Sequence, residues 1–400
     1  MKYFGTDGIR GIVNNDLTIE LLQSIGRALK CLNIETIYIG YDTRTSNQLV
    51  LFSLVSGMLS IGVNVINVGL VSSPLLERYS LLNKVDALMI TASHNPYYYN
   101  GIKIFLKGRK LNNKEEELIE SNLDNNDFNL CVGRYSRLDI KEEYISSLNN
   151  KLNDNKYNIT LDVSNGSLSE LIFHIIKNDK IKIINSNYNG LNINDNVGSL
   201  YIEDTKIEGD YLFSFDGDGD RVLFKDKERV YDGDLIIFIL AKYYKEKKVV
   251  LTNNVNLGLL KLFKKNKIEV YLSNVGDKNV LNLMKKEKIN IGGESSGHII
   301  NLKTNSYGDA LYTCIELINI LNTIDINKYL KNLEYYPYIN LNLKDNYPLN
   351  KLNKIKEKYQ NKTTRINIRK SGTENIIRVN INSKNKETLD SIVKEIKEYE

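Results

Sequence analysis

Four polar, glycine-containing stretches carry the residue types that could do chemistry. In the first, Thr91-Ala92-Ser93-His94-Asn95-Pro96 is followed by Asn100-Gly101-Ile102-Lys103. It sets a hydroxyl beside an imidazole with an amine ten residues on, which could supply a nucleophile or phosphoryl carrier and groups for proton transfer or charge. The same residues would equally make a capped turn with His94 exposed. The second, Phe215-Asp216-Gly217-Asp218-Gly219-Asp220-Arg221, places three carboxylates at i, i+2 and i+4 between glycines. Three such neighbours repel one another unless a cation offsets them, and a hard cation such as Mg²⁺ takes oxygen ligands. A calcium loop of the helix-loop-helix kind needs Gly at its sixth place and Glu at its twelfth; here those places hold Arg221 and Lys227.

The third stretch, Gly292-Gly293-Glu294-Ser295-Ser296-Gly297-His298, joins carboxylate, hydroxyl and imidazole groups suited to sugar hydroxyls, although a plain hairpin would use the same residues. The fourth, Arg369-Lys370-Ser371-Gly372-Thr373-Glu374-Asn375 with Arg378 close behind, offers guanidinium forks, hydroxyls and a glycine-centred run of backbone N–H groups. That is a phosphate cradle without the pattern of a P-loop, or else an ordinary turn between strands. Together the four describe a cation, a serine able to carry a group, a hydroxyl-binding loop and a phosphate clamp. Such equipment suits the movement of a phosphoryl group on a phosphosugar.

The elements that position these loops alternate in type. Strand patterns at Thr36–Tyr41, Val63–Val68 and Asp86–Ala92 alternate with helical patterns at Leu49–Ile61 and Leu75–Leu82, the rhythm of βαβ units. It recurs as strand Asn158–Val163, helix Leu168–Lys177 and strands Lys180–Asn185 and Tyr211–Phe215. A third round has strand Val249–Thr252, helix Leu257–Lys265, strand Glu269–Asn274, helix Asn279–Lys286 and strand Asn290–Gly292. The ending differs: strand Tyr338–Leu343, helix Leu349–Tyr359, strands Arg365–Ile368 and Ile376–Asn382 and helix Lys386–Tyr399 make an α+β unit. The polar stretches Asn122–Asn129 and Asn322–Asn332 read as surface connections. In open α/β sheets ligands bind beyond the carboxyl ends of strands, where the first three loops fall.

Composition limits the alternatives. The chain has 400 residues, 42% of them hydrophobic and 26% charged, and two to four domains are expected because single cores stop growing near ~250–300 residues. Its 54 Lys and Arg against 49 Asp and Glu are spread along the chain, which argues against nucleic acid or a membrane surface as partner. The longest wholly apolar run, Leu235–Ala241, is far too short to span a bilayer, and no secretory leader precedes Tyr3-Phe4-Gly5, so a cytoplasmic protein is expected. Three cysteines and three histidines without ligand spacing exclude a zinc hydrolase.

The ordered motifs resemble those of the α-D-phosphohexomutase superfamily. They are Phe4-Gly5-Thr6-Asp7-Gly8-Ile9-Arg10-Gly11, Gly40-Tyr41-Asp42-Thr43-Arg44, Thr91–Pro96 with Asn100–Lys103, Asn189-Gly190-Leu191-Asn192-Ile193-Asn194, Asp216–Arg221, Gly292–His298 and Arg369–Arg378. They span almost the whole chain and are most similar to the branch that acts on glucosamine phosphate. Some positions depart from that branch: Ser295 stands for its usual Gln, Asn375 for Pro, Lys278 for Arg, and Gly198-Ser199-Leu200-Tyr201-Ile202-Glu203 replaces a Gly-Ser-Thr-His-Pro-Glu run.

The resemblance implies a heart-shaped protein of four domains around a central cleft. Three are related mixed-sheet α/β domains, 1–148, 149–246 and 247–326, and the fourth is a smaller α+β domain, 327–400, that closes on substrate. It implies conversion of glucosamine 6-phosphate to glucosamine 1-phosphate, a step toward UDP-N-acetylglucosamine and the cell wall. One Mg²⁺ would be held by Asp216, Asp218, Asp220 and an oxygen of phosphorylated Ser93, and a sugar bisphosphate would act as activator. Arg10, Arg221 and Lys103 would supply positive charge, with His94 or Lys103 moving a proton. Glu294, Ser296, His298 and Lys278 would bind the sugar, and Arg369, Ser371, Gly372, Thr373 and Arg378 the phosphate that does not react. A monomer or homodimer is expected. Glucose or mannose phosphates are alternative substrates; Asp216-x-Asp218 also resembles the nucleophile and acid pair of haloacid-dehalogenase-type phosphatases, and a non-catalytic phosphosugar-binding protein would keep the same fold.

Overall fold

The computed structural model describes residues 2–5, 7–124, 131–149, 151–152, 154–304, 306–370 and 376–398. The chain forms two units, one of residues 1–232, 296–299 and 306–323, the other of residues 233–295, 300–305 and 324–400.

In the first unit β-branched and aliphatic runs build a large mixed sheet. Thr36–Tyr41 lies at its parallel centre between Asn64–Leu70 and Asp86–Ile90. Tyr99–Leu106 runs antiparallel to Asp86–Ile90, and Gly8–Ile12 extends the sheet beside it. Lys103 therefore comes from a strand, not from the continuation of the serine loop that the sequence suggests: Asn100–Phe105 are all buried, and the Asn-Gly pair at 100–101 enters the strand instead of turning it. Helices Ile19–Ala28, Asn47–Leu59 and Ser73–Asn83 cover this sheet. Ile37, Ile39, Leu54, Val65, Leu88, Ile90 and Ile102 fill its core, each worth about 1.5–3 kcal/mol on burial. Helix Ser73–Asn83 starts where Ser72 accepts from the Leu75 N–H and Pro74 occupies the first turn.

A second sheet of the same unit has Ile159–Asp162 flanked in parallel by Ile181–Ile184 and Tyr211–Phe215. Tyr211–Phe215 then pairs antiparallel with Val222–Lys225, with Phe215 opposite Val222. The acidic stretch Asp216–Arg221 is thus the tip of a β-hairpin, turned at Gly219 with φ +74°. Helix Ala310–Thr323 belongs to this unit. Asn322 lies on it as a buried residue, so the expected surface connection at 322–332 begins inside a core helix. Ile326 and Leu330, farther along in the other unit, are buried as well. His174 faces outward on helix Leu168–Ile175.

The second unit has Lys248–Thr252 parallel to Glu269–Ser273 and Ile291–Gly293, with helices Gly233–Tyr243, Leu257–Lys265 and Asp277–Glu287. The apolar run Leu235–Ala241 is the middle of a helix buried all round. Its last part is a three-stranded antiparallel sheet in which Ile376–Ser383 lies between Tyr338–Lys344 and Thr364–Lys370. Helices Leu349–Tyr359 and Lys386–Lys397 cover it around Leu343, Leu352, Ile366, Val379, Ile381 and Ile392. No helix among the described residues is long and apolar enough to cross a membrane.

Candidate active site

Ser93 sits at the carboxyl end of strand Asp86–Ile90, fully buried, with φ +52°. A non-glycine residue in the left-handed region costs about 1–2 kcal/mol and persists where its surroundings enforce it. Its Oγ donates to Asp216 Oδ2 at 2.7 Å and lies 3.5 Å from His94 Nδ1. The acidic hairpin can approach this closely because residue 217 is glycine: a Cβ there would lie 2.7 Å from the Ser93 carbonyl oxygen.

The three aspartates converge. One carboxylate oxygen from each of Asp216, Asp218 and Asp220 falls within 4.8 Å of the others, and all three residues are buried. Asp216 Oδ1 accepts from the backbone N–H groups of Asp220 and Arg221 at 3.2 and 3.1 Å. Burial, reinforced by Asp220 and Asp218, pushes the Asp216 carboxyl well above the carboxylate range. Asp218 is also gripped from helix Ser73–Asn83: the Ser73 hydroxyl donates to its Oδ2 at 2.5 Å and the Ser73 N–H to its carbonyl at 2.9 Å.

Lys103 closes the cluster from the neighbouring strand. Its Nζ lies 2.7 Å from Asp218 Oδ2, 2.9 Å from Asp220 Oδ2 and 3.0 Å from Asp7 Oδ2. Burial would favour the neutral amine, but Asp218, Asp220 and Asp7 outweigh it and hold the ammonium well above its usual value. Asp7 also pairs with Arg10 at 2.7 Å and Lys110 at 2.7 Å. These three cations overcome the effect of burial and keep its carboxyl well below the usual range. Arg221 donates to His94 Nδ1 at 3.0 Å and lies 3.7 Å from Asp220 Oδ1. Burial, then Arg221 and Arg10, holds the His94 imidazole well below its ordinary 6.5. Buried His298 adds to the influences that keep Asp220 ionised, after Lys103 has offset the effect of burial.

The donor set fits a hard cation. Asp218 Oδ1 and Asp220 Oδ1 are buried without a hydrogen-bond partner among the described residues, and oxygens of this kind are what Mg²⁺ takes.

The first unit thus gathers Ser93, His94, Lys103, Arg10, Arg221 and the three aspartates, and also carries half-buried Ser296 and buried His298. The second unit carries Glu294, Lys278, Arg369 and Arg378. Glu294 Oε1 accepts from the Gly276 N–H at 2.9 Å, just before the helix that bears Lys278. Arg369 and Arg378 face each other across antiparallel strands. Burial, then Arg378, lowers the Arg369 guanidinium, with Glu294 opposing. Ser371, Gly372 and Thr373 lie outside the described residues.

Several further residues support the serine loop. Arg44 is buried, pairs with Asp42 at 3.0 Å, and donates to backbone carbonyls of the loop; Asn194 donates to the Ser93 carbonyl at 2.9 Å. Their motifs are visible in the sequence, but partners 49 and 101 residues away are not. Nothing in the sequence marks Ser73.

Comparison with known proteins identifies the family of the chain. Family models match residues 1–130 as phosphoglucomutase/phosphomannomutase α/β/α domain I, 232–335 as α/β/α domain III and 339–398 as the C-terminal domain. The chain is 38% identical to the phosphoglucosamine mutase of Dictyoglomus turgidum, covering 99% of this chain and 97% of that one. It is 37% identical to the phosphoglucosamine mutase of Thermosipho africanus, covering 95% and 93%. A solved phosphoglucomutase/phosphomannomutase family protein of Burkholderia thailandensis superposes with a TM-score of 0.80 at 19% identity, over 98% of this chain and 96% of that one. With mixed α/β sheets, a smaller α+β ending and near full-length relatives of one kind, the chain belongs to the α-D-phosphohexomutase superfamily, in its phosphoglucosamine mutase family, and is an isomerase of the phosphohexomutase type.

Proposed function

We propose that the enzyme interconverts glucosamine 6-phosphate and glucosamine 1-phosphate, with Ser93 carrying the phosphoryl group from one end of the sugar to the other. The observation that carries this reading is the buried Ser93 Oγ, 2.7 Å from Asp216 in a cluster of three aspartates. A sugar bisphosphate would load the serine. The phosphoryl group on Ser93 Oγ then passes to the free hydroxyl of the sugar: a new O–P bond forms, the Oγ–P bond breaks, and the hydroxyl proton ends on Oγ. The bisphosphorylated sugar turns over, Ser93 Oγ attacks the other phosphorus, and its proton returns to the oxygen released.

Asp216, Asp218, Asp220 and an oxygen of phosphorylated Ser93 would hold Mg²⁺, which would supply neutralising charge, the main demand of phosphoryl transfer. Arg10, Arg221 and Lys103 add fixed positive charge. Of the two candidates for the proton, Lys103 is tied as an ammonium to three carboxylates, whereas His94 Nδ1 lies 3.5 Å from Ser93 Oγ and is free to take a proton once Arg221 releases it. His94 is the group we assign to it.

Glu294, Ser296, His298 and Lys278 would take the sugar, and Arg369, Ser371, Gly372, Thr373 and Arg378 the phosphate that does not react. This clamp must accept either end of the ring. The same reading divides the chain near 148, 246 and 326 into four domains, and it places the product upstream of UDP-N-acetylglucosamine and the cell wall.

Parallel turnover of glucosamine, glucose and mannose 6-phosphates with Mg²⁺ tests the substrate. Glucosamine 6-phosphate is expected to lead, and equal turnover of another would overturn the choice. Ser93→Ala should abolish conversion; unchanged activity would instead favour a phosphatase using Asp216.

A further inference from the structure

We propose that Arg44 and Asn194 are positioning residues that jointly fix the backbone of Ser93 so that its Oγ is presented to the aspartate cluster. This rests on the reading of Ser93 as the phosphoryl carrier. The two side chains arrive from loops that follow strands of different sheets, Thr36–Tyr41 and Ile181–Ile184, and share the same two targets. Arg44 Nη2 donates to the Ser93 carbonyl at 2.9 Å and to the Asn95 carbonyl at 2.8 Å. Asn194 Nδ2 donates to those same carbonyls at 2.9 and 3.1 Å. Each carbonyl oxygen, with two lone pairs, is thereby saturated.

The other end of the residue is held as well. The Ser93 N–H donates to Thr91 Oγ1 at 2.9 Å, and the Thr91 hydroxyl donates to Asp42 Oδ2 at 2.7 Å. That carboxylate oxygen also takes Arg44 Nε at 3.0 Å, so amide and carbonyl of Ser93 are tied into one buried circuit. Arg44 spends its remaining donors on the carbonyls of Tyr99, at 3.0 Å, and Pro96. All its charge goes to one carboxylate and this loop.

Asn194 is itself braced. It has φ +56°, and its N–H donates to the Ser164 carbonyl at 3.0 Å. Asp162, buried, accepts from the N–H groups of Ser164 at 3.0 Å and Gly198 at 2.8 Å and so sets the loop from both sides. Without these donors Ser93 has no reason to stay at φ +52°, because an extended conformation is intrinsically favoured. Relaxation would swing Oγ away from Asp216 while leaving sugar contacts untouched.

The test uses the full chain with Asn194→Ala, Asn194→Asp and Arg44→Lys. Glucose 1,6-bisphosphate labelled with ³²P serves to measure the single-turnover rate of Ser93 phosphorylation, beside kcat, KM and thermal unfolding. Asn194→Ala leaves each carbonyl one donor, so folding should persist. Its phosphorylation rate and kcat should fall together by about 100-fold, the scale of a 1 Å misplacement, with KM nearly unchanged. Asn194→Asp, which turns a second carboxylate oxygen toward the carbonyls, should fall at least as far. Arg44→Lys keeps the charge beside Asp42 but not the fork that reaches four carbonyls, and should fall at least as far as Asn194→Ala.

A folded Asn194→Ala protein phosphorylated at the wild-type rate would overturn the proposal, as would a rise in KM at unchanged kcat. Should Arg44→Lys fail to fold, the Asn194 variants decide. Wild-type protein that takes no label on Ser93 would overturn the carrier reading itself, and the positioning proposal with it. A labelled wild type with an equally labelled Asn194→Ala defeats the positioning proposal alone.

Discussion

Lys103 Nζ lies 2.7 Å from Asp218 Oδ2, on the same oxygen that receives the Ser73 hydroxyl. The ammonium is also 2.9 Å from Asp220 and 3.0 Å from Asp7, so one buried cation touches three carboxylates, of which Asp7 is shared with Arg10 and Lys110 and Asp220 with Arg221.

Lys103→Met should therefore strip Asp218 of its ion pair and leave Asp220 and Asp7 with fewer cations beside them. Removing one partner of a buried ionic cluster costs about 3–5 kcal/mol, a large part of the stability of a domain. Thermal unfolding should show the loss. Added Mg²⁺ should restore more stability to Lys103→Met than to wild type, because a cation bound at Asp216, Asp218 and Asp220 replaces the missing charge. Equal stabilisation of both proteins would show that the aspartates do not hold the ion.

His94 makes a distinct pH signature. Burial and the neighbouring Arg221 and Arg10 depress its native pKa well below 6.5. Below pH 6.5 the unfolded chain binds a proton there that the native protein does not, so its contribution to stability is present above that pH and is lost as pH falls toward the native value. The loss amounts to about 1.4 kcal/mol for each unit of depression. Urea unfolding at pH 7.5 and 5.0 should show a smaller pH dependence for His94→Asn than for wild type; identical slopes would contradict a neutral imidazole.

Asp7 anchors Lys103, Lys110 and Arg10 at 3.0, 2.7 and 2.7 Å. Asp7→Asn keeps the shape and removes the charge that holds the three cations in register. Charge-assisted hydrogen bonds are worth about 1.5–3 kcal/mol each, so a loss of roughly 10- to 100-fold in kcat is expected, with a smaller effect on KM. Steady-state kinetics of the Asp7→Asn protein decide it; an unchanged kcat would show that Lys103 needs no such anchor.

Periodic elements were legible from the sequence. Tyr211–Phe215, Leu257–Lys265 and Leu349–Tyr359 occur where residue pattern alone puts them: the two helices have one buried and one wet face, and the strand is a short apolar run buried on both faces. Helix Gly233–Tyr243 was not legible: a run buried on every side has no period to read. Lys103 could be singled out by type and spacing, yet its strand was hidden because Asn100 and Gly101 look like turn residues. Ser93 and the three aspartates stand out because reactive types are dense there. Arg44 and Asn194 do not, since their work consists of bonds to carbonyls far along the chain, and backbone groups leave no mark in a sequence.

The bond between Ser93 and Asp216 joins residues 123 positions apart. A ribosome adding about 5–20 residues per second delivers Asp216 roughly 6–25 s after Ser93. For that interval the growing chain carries the serine without its acidic hairpin, and for most of it without Asn194, so the hydroxyl lacks the partners that aim it. Serine and aspartates of this protein meet only once a little over half of its 400 residues have been made, and chains that stop short of the hairpin carry an ordinary serine.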